Sequence, residues 1–166
     1  EERTALVARL VHHADPAVIW CHLNIEGDAL VKAIPGCVQI KGSDDLDKKE
    51  EALDAFSRGQ IRVLATKPTI AGHGLNWQHC AHVVTYASHS FEQHYQSVRR
   101  CWRFGQTRPV RVDIVSTTGE IHVRENLARK AQAAETMFGQ LIAHMNAGLR
   151  IDRAASQEPV GIPPWL

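Results

Sequence analysis

The sequence lacks any apolar run near the roughly 20 residues that span a bilayer. Its longest candidate, Pro16 to Leu23, is interrupted by His22 and is short enough for a strand. It lacks a secretory leader pattern, because Glu1-Glu2-Arg3 opens an amphipathic stretch. Cysteine is sparse: Cys21, Cys37, Cys80 and Cys101, with no Cys-x-x-Cys pair. All four read as reduced thiols in a reducing compartment. Net charge is nearly absent, 19 Lys+Arg against 18 Asp+Glu, so attraction of the whole surface to nucleic acid is not indicated. No internal repeat is visible. An initiator Met is also missing, which we read as a piece of a longer protein.

What is present describes an ordinary folded domain. The 166 residues are 44% hydrophobic and 22% charged. A chain of this size buries roughly 70% of its unfolded surface, so a self-sufficient core is expected. The charges are segregated. Arg99, Arg100, Arg103, Arg108 and Arg111 fall in one stretch without an acid, whereas residues 44–54 are rich in acids. A local anion site is therefore compatible with the neutral total. Ten histidines include the run His79-Cys80-Ala81-His82. That spacing matches no zinc pattern, and no metal site is expected.

Apolar runs alternate with helical patterns. Helices are expected at 3–13 (Leu6, Leu10 and His13 on one face), 26–34, 45–57 (Leu46, Leu53 and Phe56 inward, Asp44 as N-cap), 91–102 and 120–146. Strands are expected at 18–21, 38–40, 61–65, 83–86 and 110–115. The last helix carries one apolar stripe, Leu127, Ala131, Ala134, Phe138, Leu141 and Met145, expected to pack onto the domain. Residues 1–150 form the domain in this reading, and 151–166, with three prolines, a poorly ordered tail. Strands alternating with helices predict an α/β fold with a mostly parallel sheet. Its chemistry is sought at the carboxyl ends of the strands.

Two segments stand out. Gly72-His73-Gly74-Leu75-Asn76 offers two glycines that let backbone N–H groups approach a phosphate, although alone it reads as a tight turn. Gln96, Arg100 and Arg103 fall at i, i+4 and i+7 and share one helix face. Such a stripe is costly to bury without an anion, and the planar guanidinium suits phosphate oxygens. The flanking Trp102, Phe104 and Gly105 suggest a fixed setting for the two arginines.

Together these segments carry a resemblance. Gln96, Arg100, Arg103, Gly105 and Gln106 match Gln-x-x-x-Arg-x-x-Arg-x-Gly-Gln, motif VI of the Snf-type DNA translocases of helicase superfamily 2. Gly72 to Asn76 is similar to motif V of that family and Val18 to Leu23 to its motif IV, while Gly42-Ser43 resembles the turn before the helix that follows it. The likeness runs over residues 17–130, and the wording of both motifs is most similar to the phage and prophage branch. Arg99, Trp77 and Lys49 depart from the common pattern, and Lys49 lacks the fork that bidentate phosphate binding uses.

The resemblance implies a RecA-like, P-loop-NTPase-type fold: a central, mostly parallel sheet, helices on both faces and a long C-terminal helix. It implies the second lobe of an ATP-dependent DNA helicase or translocase. Gly-x-x-x-x-Gly-Lys-[Ser/Thr] and a Walker B acid pair are absent from the sequence, so ATP and its Mg would be held by an N-terminal lobe of the same polypeptide. Arg100 and Arg103 would act as arginine fingers, with Gln96 orienting the γ-phosphate and water. Gly72, Gly74, Asn76 and Gln106 would line the nucleotide cleft. Gly42, Ser43, Thr66 and Lys67 would contact DNA phosphates without reading sequence. No membrane or structural metal enters this picture, and the cytoplasm of a bacterial or phage-infected cell is the expected location. The rivals are an RNA helicase lobe, a phosphate- or nucleic-acid-binding module without a motor role, and a nuclease or metal protein using the histidines.

Overall fold

The computed structural model describes residues 2–71, 75–88 and 90–148. In chain order the elements are α1 (Glu2–Leu10), β1 (Ala17–Trp20), α2 (Asn24–Ala33), β2 (Cys37–Gln39), α3 (Leu46–Ser57), β3 (Val63–Thr66), β4 (His82–Tyr86), α4 (Phe91–Arg99), β5 (Arg111–Val115) and α5 (Ile121–Gly148). A short 3-10 turn, Thr118–Glu120, precedes α5. The chain divides into two compact units, Glu1–Arg129 and Lys130–Leu166. The expected tail at 151–166 lies outside the described residues.

The strands pair in the order β2-β3-β1-β4-β5, and every pairing is parallel. β1, β3 and β4 are buried along their whole length. A parallel sheet covered on both faces demands such continuous apolar strands. Successive side chains point to opposite faces, and the two cores follow that alternation. Ala17 and Ile19 join Val7, Val11, Leu30, Ile34, Val63, Ala65, Val84 and Tyr86 on the face covered by α1 and α2. Val18 and Trp20 join Phe56, Leu64, Trp77, Cys80, Val83 and Cys101 on the other. All five expected strands and helices form, with ends shifted by a few residues.

Several expectations are corrected in detail. α1 buries Val7, with Val11 beyond its end; of the expected Leu6–Leu10–His13 face, Leu10 packs against the core and Leu6 is exposed. Asp45, not Asp44, is the N-cap of α3. Asp44 instead accepts the Lys41 backbone N–H at 2.7 Å, which holds its carboxyl below the usual range. Leu46 is exposed, and Phe56 anchors α3. α2 starts at Asn24 because the Glu26 carboxylate reaches back to the N–H groups of His22 and Leu23, both at 2.9 Å. In the stripe of α5, Leu127 is buried, while Phe138, Leu141 and Met145 are each more than half exposed.

Candidate nucleotide-facing site

The chain leaves β3 at the carboxyl end of the sheet and must return to the amino end to enter β4, so residues 75–81 approach that amino end. α4 makes the same return between β4 and β5. The last turn of α4 and the segment entering β4 therefore meet. Trp77 N–H donates to the Arg100 carbonyl at 2.9 Å, and Arg111 N–H to the Ala81 carbonyl at 2.8 Å. The expectation that all the chemistry sits at the carboxyl ends is corrected here. Gly42, Ser43, Thr66 and Lys67 follow β2 and β3, but Arg100, Arg103 and Gln106 gather beside the entry to β4.

α4 begins with a working cap, since Ser90 Oγ accepts the Gln93 N–H at 3.2 Å. The expected end at residue 102 is corrected to Arg99. The coil still continues for one turn, because Trp102 N–H reaches the Val98 carbonyl at 2.9 Å. Gly105 then turns the chain with φ +93°, and a Cβ there would meet Gln78 Nε2 at 2.9 Å. Only glycine fits both constraints.

Gln106 is the clamp of this region. Its Nε2 lies 2.9 Å from the Gln78 carbonyl, 3.1 Å from that of Cys101 and 3.4 Å from that of Cys80, and its Oε1 accepts the Arg108 N–H at 3.1 Å. Gln106, expected to line a nucleotide cleft, has both amide atoms engaged by its own chain. Gln78 donates in turn to the Phe104 carbonyl. Trp77 is fully buried, stacked on Trp20 at 5.7 Å, edge-on to Phe56 at 5.1 Å, with Nε1 donating to Ser57 Oγ at 3.1 Å. Sequence reasoning missed Trp77 and Gln78 as the parts that fix the arginines. It credited Trp102 and Phe104, which are exposed. The indole N–H of Trp77, a polar handle needing a partner, was the available signal.

The arginines differ in what they touch. Arg103 Nη1 donates to the Leu75 carbonyl at 3.1 Å, which ties it to the glycine-rich loop. Arg100 is half-buried, and among the described residues its guanidinium has no hydrogen-bond acceptor or carboxylate. Burial, then the charge of Arg103, depress its pKa. Gln96 is exposed on the same stripe. Two cations that feel each other's charge, with no acid paired to either among the described residues, make an environment that an anion would relieve. Gly72 and Gly74 lie outside the described residues. Asn76 is exposed.

At the carboxyl end the picture differs. Gly42 and Ser43 are exposed. Thr66 is buried, 1% exposed, and its hydroxyl lies 3.4 Å from the Ile40 carbonyl, so it presents no surface to a phosphate. Lys67 is half-buried. Lys49 donates to the Gly42 carbonyl at 2.7 Å and holds that turn. His79 and His82 have pKa values lowered by burial, and His82 pairs with Asp113 at 2.7 Å. No group of three His, Cys, Asp or Glu that could hold a metal occurs among the described residues. No helix among them is long and apolar enough to cross a membrane.

Comparisons with known proteins agree with this architecture. The C-terminal part of the Fun30 ATPase domain superposes with TM-score 0.62 at 17% identity, covering 75% of this chain and 43% of that one. The C-terminal domain of the DEAD-box protein Dbp5 gives 0.62 at 14% identity, covering 78% of each. Mycobacterium smegmatis helicase Lhr, bound to single-stranded DNA and AMP-PNP, gives 0.57 at 13% identity over 68% of this chain and 16% of that one. At these identities the likeness carries the fold alone. Protein p41 of Acyrthosiphon pisum secondary endosymbiont phage 1 is 30% identical over 102 residues, 57% of this chain and 21% of that protein. The model of the helicase conserved C-terminal domain matches residues 3–105, more than half of the sequence, and the chain belongs to that family.

Proposed function

We propose that this chain is the C-terminal motor lobe of a Snf-type, ATP-dependent DNA translocase of the phage branch. ATP and its Mg are held by an N-terminal lobe, and this lobe supplies Arg100 and Arg103 to the phosphates. The observation that carries the reading is Arg100, half-buried beside Arg103 with no acceptor among the described residues. A guanidinium in that state suits the charge that develops on a transferring phosphoryl group. Gln96, on the same stripe, orients the γ-phosphate and water. Gly72, Gly74 and Asn76 couple this cleft to the nucleic acid through the loop that Arg103 ties down at Leu75. Gln106 acts by clamping the two motifs together. Gly42, Ser43 and Lys67 meet DNA phosphates at the opposite end of the sheet, and closing of the two lobes moves the enzyme along the duplex. The enzyme then works where DNA and ATP meet, in the cytoplasm of a bacterial or phage-infected cell.

The purified 166 residues should bind no catalytic Mg and hydrolyse no ATP, because the sequence has no phosphate-binding Gly-x-x-x-x-Gly-Lys-[Ser/Thr] loop. Measurable ATPase activity from this chain alone would sink the division of labour. A second reading is an RNA helicase lobe, which would share this sheet and these arginines, although the Gly105-Gln106 ending argues against it. ATPase stimulation of the two-lobed enzyme by duplex DNA rather than RNA separates them.

A further inference from the structure

The arginine stripe of α4 has a neighbour. Tyr95, Arg99 and Trp102 also fall at i, i+4 and i+7, one residue behind Gln96, Arg100 and Arg103, so the two stripes lie side by side. The structure turns the first into a ladder. The Arg99 guanidinium sits 5.6 Å from the Tyr95 ring centroid and 5.3 Å from that of Trp102. Phe91 extends the row, 5.9 Å from Tyr95. None of this belongs to the core: Tyr95 is 38% and Trp102 54% exposed, and Phe104 is fully exposed. Arg99 approaches one face of the indole, and more than half of Trp102 remains open. Between Glu92 and Asp113 the sequence has no acid, and among the described residues no carboxylate pairs with Arg99.

We infer that the Tyr95–Arg99–Trp102 ladder is a stacking platform for the purine base of the nucleotide whose phosphates Arg100 and Arg103 receive. This deepens the proposed function and rests on it. A nucleotide is a planar π-system joined to a multiply charged anion. The two adjacent stripes present the matching pair, an open indole backed by a cation and two guanidiniums that no carboxylate among the described residues engages. Stacking favours the larger purine over a pyrimidine without any base-edge hydrogen bond. Trp102 is thereby a specificity-determining residue.

The test is steady-state hydrolysis by the two-lobed enzyme with ATP and with CTP. Trp102→Ala should raise KM for ATP roughly tenfold, the scale of one lost base–aromatic stack, with kcat little changed. Its preference for ATP over CTP should shrink, and Trp102→Phe should restore most of both. Because Trp102 is exposed, its folding should be intact, and an unchanged melting temperature checks this. An unchanged KM for ATP overturns the inference. So does an equal loss for ATP and CTP, or a shift confined to the DNA concentration that half-stimulates hydrolysis, which would assign the platform to a nucleic-acid base. Arg103→Ala, run alongside, separates the layers: normal turnover there sinks the finger reading itself, whereas lost turnover with unaltered Trp102→Ala kinetics sinks only the platform.

Discussion

The basic residues after β2 and those at the end of α4 are alike in number and unlike in situation. Lys41 lies 2.6 Å from Asp28, Lys48 3.3 Å from Asp44, and Lys49 2.7 Å from the Gly42 carbonyl. Each cation there has a partner in its own chain. At the end of α4, Arg100 has none among the described residues, Arg103 has one carbonyl, and Arg99 has two aromatic rings. Exposed ion pairs add little to stability and say little about function. A half-buried cation without an acceptor is costly, and it is the better mark of a ligand. Arginine content alone would not separate the cases, because Arg62, Arg108 and Arg111 are engaged too: Arg62 by the carbonyls of Val11 and His13, Arg108 by Asp15, Arg111 by Asp113.

The sharpest way to break this contrast is to delete one member of each kind. In the two-lobed enzyme, Arg103→Ala should lower kcat by about 10³ or more, the lower bound for a lost arginine finger. Arg62→Ala should leave kcat near normal and cost only stability. Equal effects on turnover would erase the distinction. Next in size is the support of the site. Trp77→Ala should destabilise the chain by about 3–5 kcal/mol, as for other buried aromatics, read as a lower urea midpoint. A loss below about 1 kcal/mol would contradict its place between Trp20 and Phe56.

The smallest effect expected is that of acid. Burial holds the His82 pKa below its ordinary value of 6.5, and burial does the same to His79 and His94. Below about pH 6.5 the unfolded chain then binds more protons than the folded one, so stability falls as pH falls. His82→Gln should flatten that acid limb. An unchanged slope would show that His82 is as easily protonated folded as unfolded.

Much of the fold was legible because parallel strands buried on both faces read as continuous apolar runs, as in Val18 to Trp20 and Val83 to Tyr86. Helix faces were less legible. Leu6 and Leu46 fit the periodicity yet lie exposed: the sheet meets α1 at Val7, and α3 packs through Leu53 and Phe56 while its first turn stays outside. The arginine stripe was visible from spacing, but its surroundings were not. That Gln106 reaches the carbonyls of Gln78 and Cys80, and that Trp77 delivers its N–H to Ser57, depends on contacts 20 or more residues apart in sequence. Local pattern holds no record of such pairings. The same limit hid the amino-end position of Arg100, which follows only once the return paths of both crossovers are traced.

Arg100 tests the account most directly, because its guanidinium holds up nothing else among the described residues, and its backbone bond to Trp77 survives substitution. The measurement is kcat for ATP in the two-lobed enzyme carrying Arg100→Ala, with melting temperature and DNA affinity taken on the same preparation. The account predicts turnover lower by roughly 10³, with melting temperature and DNA affinity near those of the parent. Near-normal turnover in a folded Arg100→Ala enzyme would contradict it.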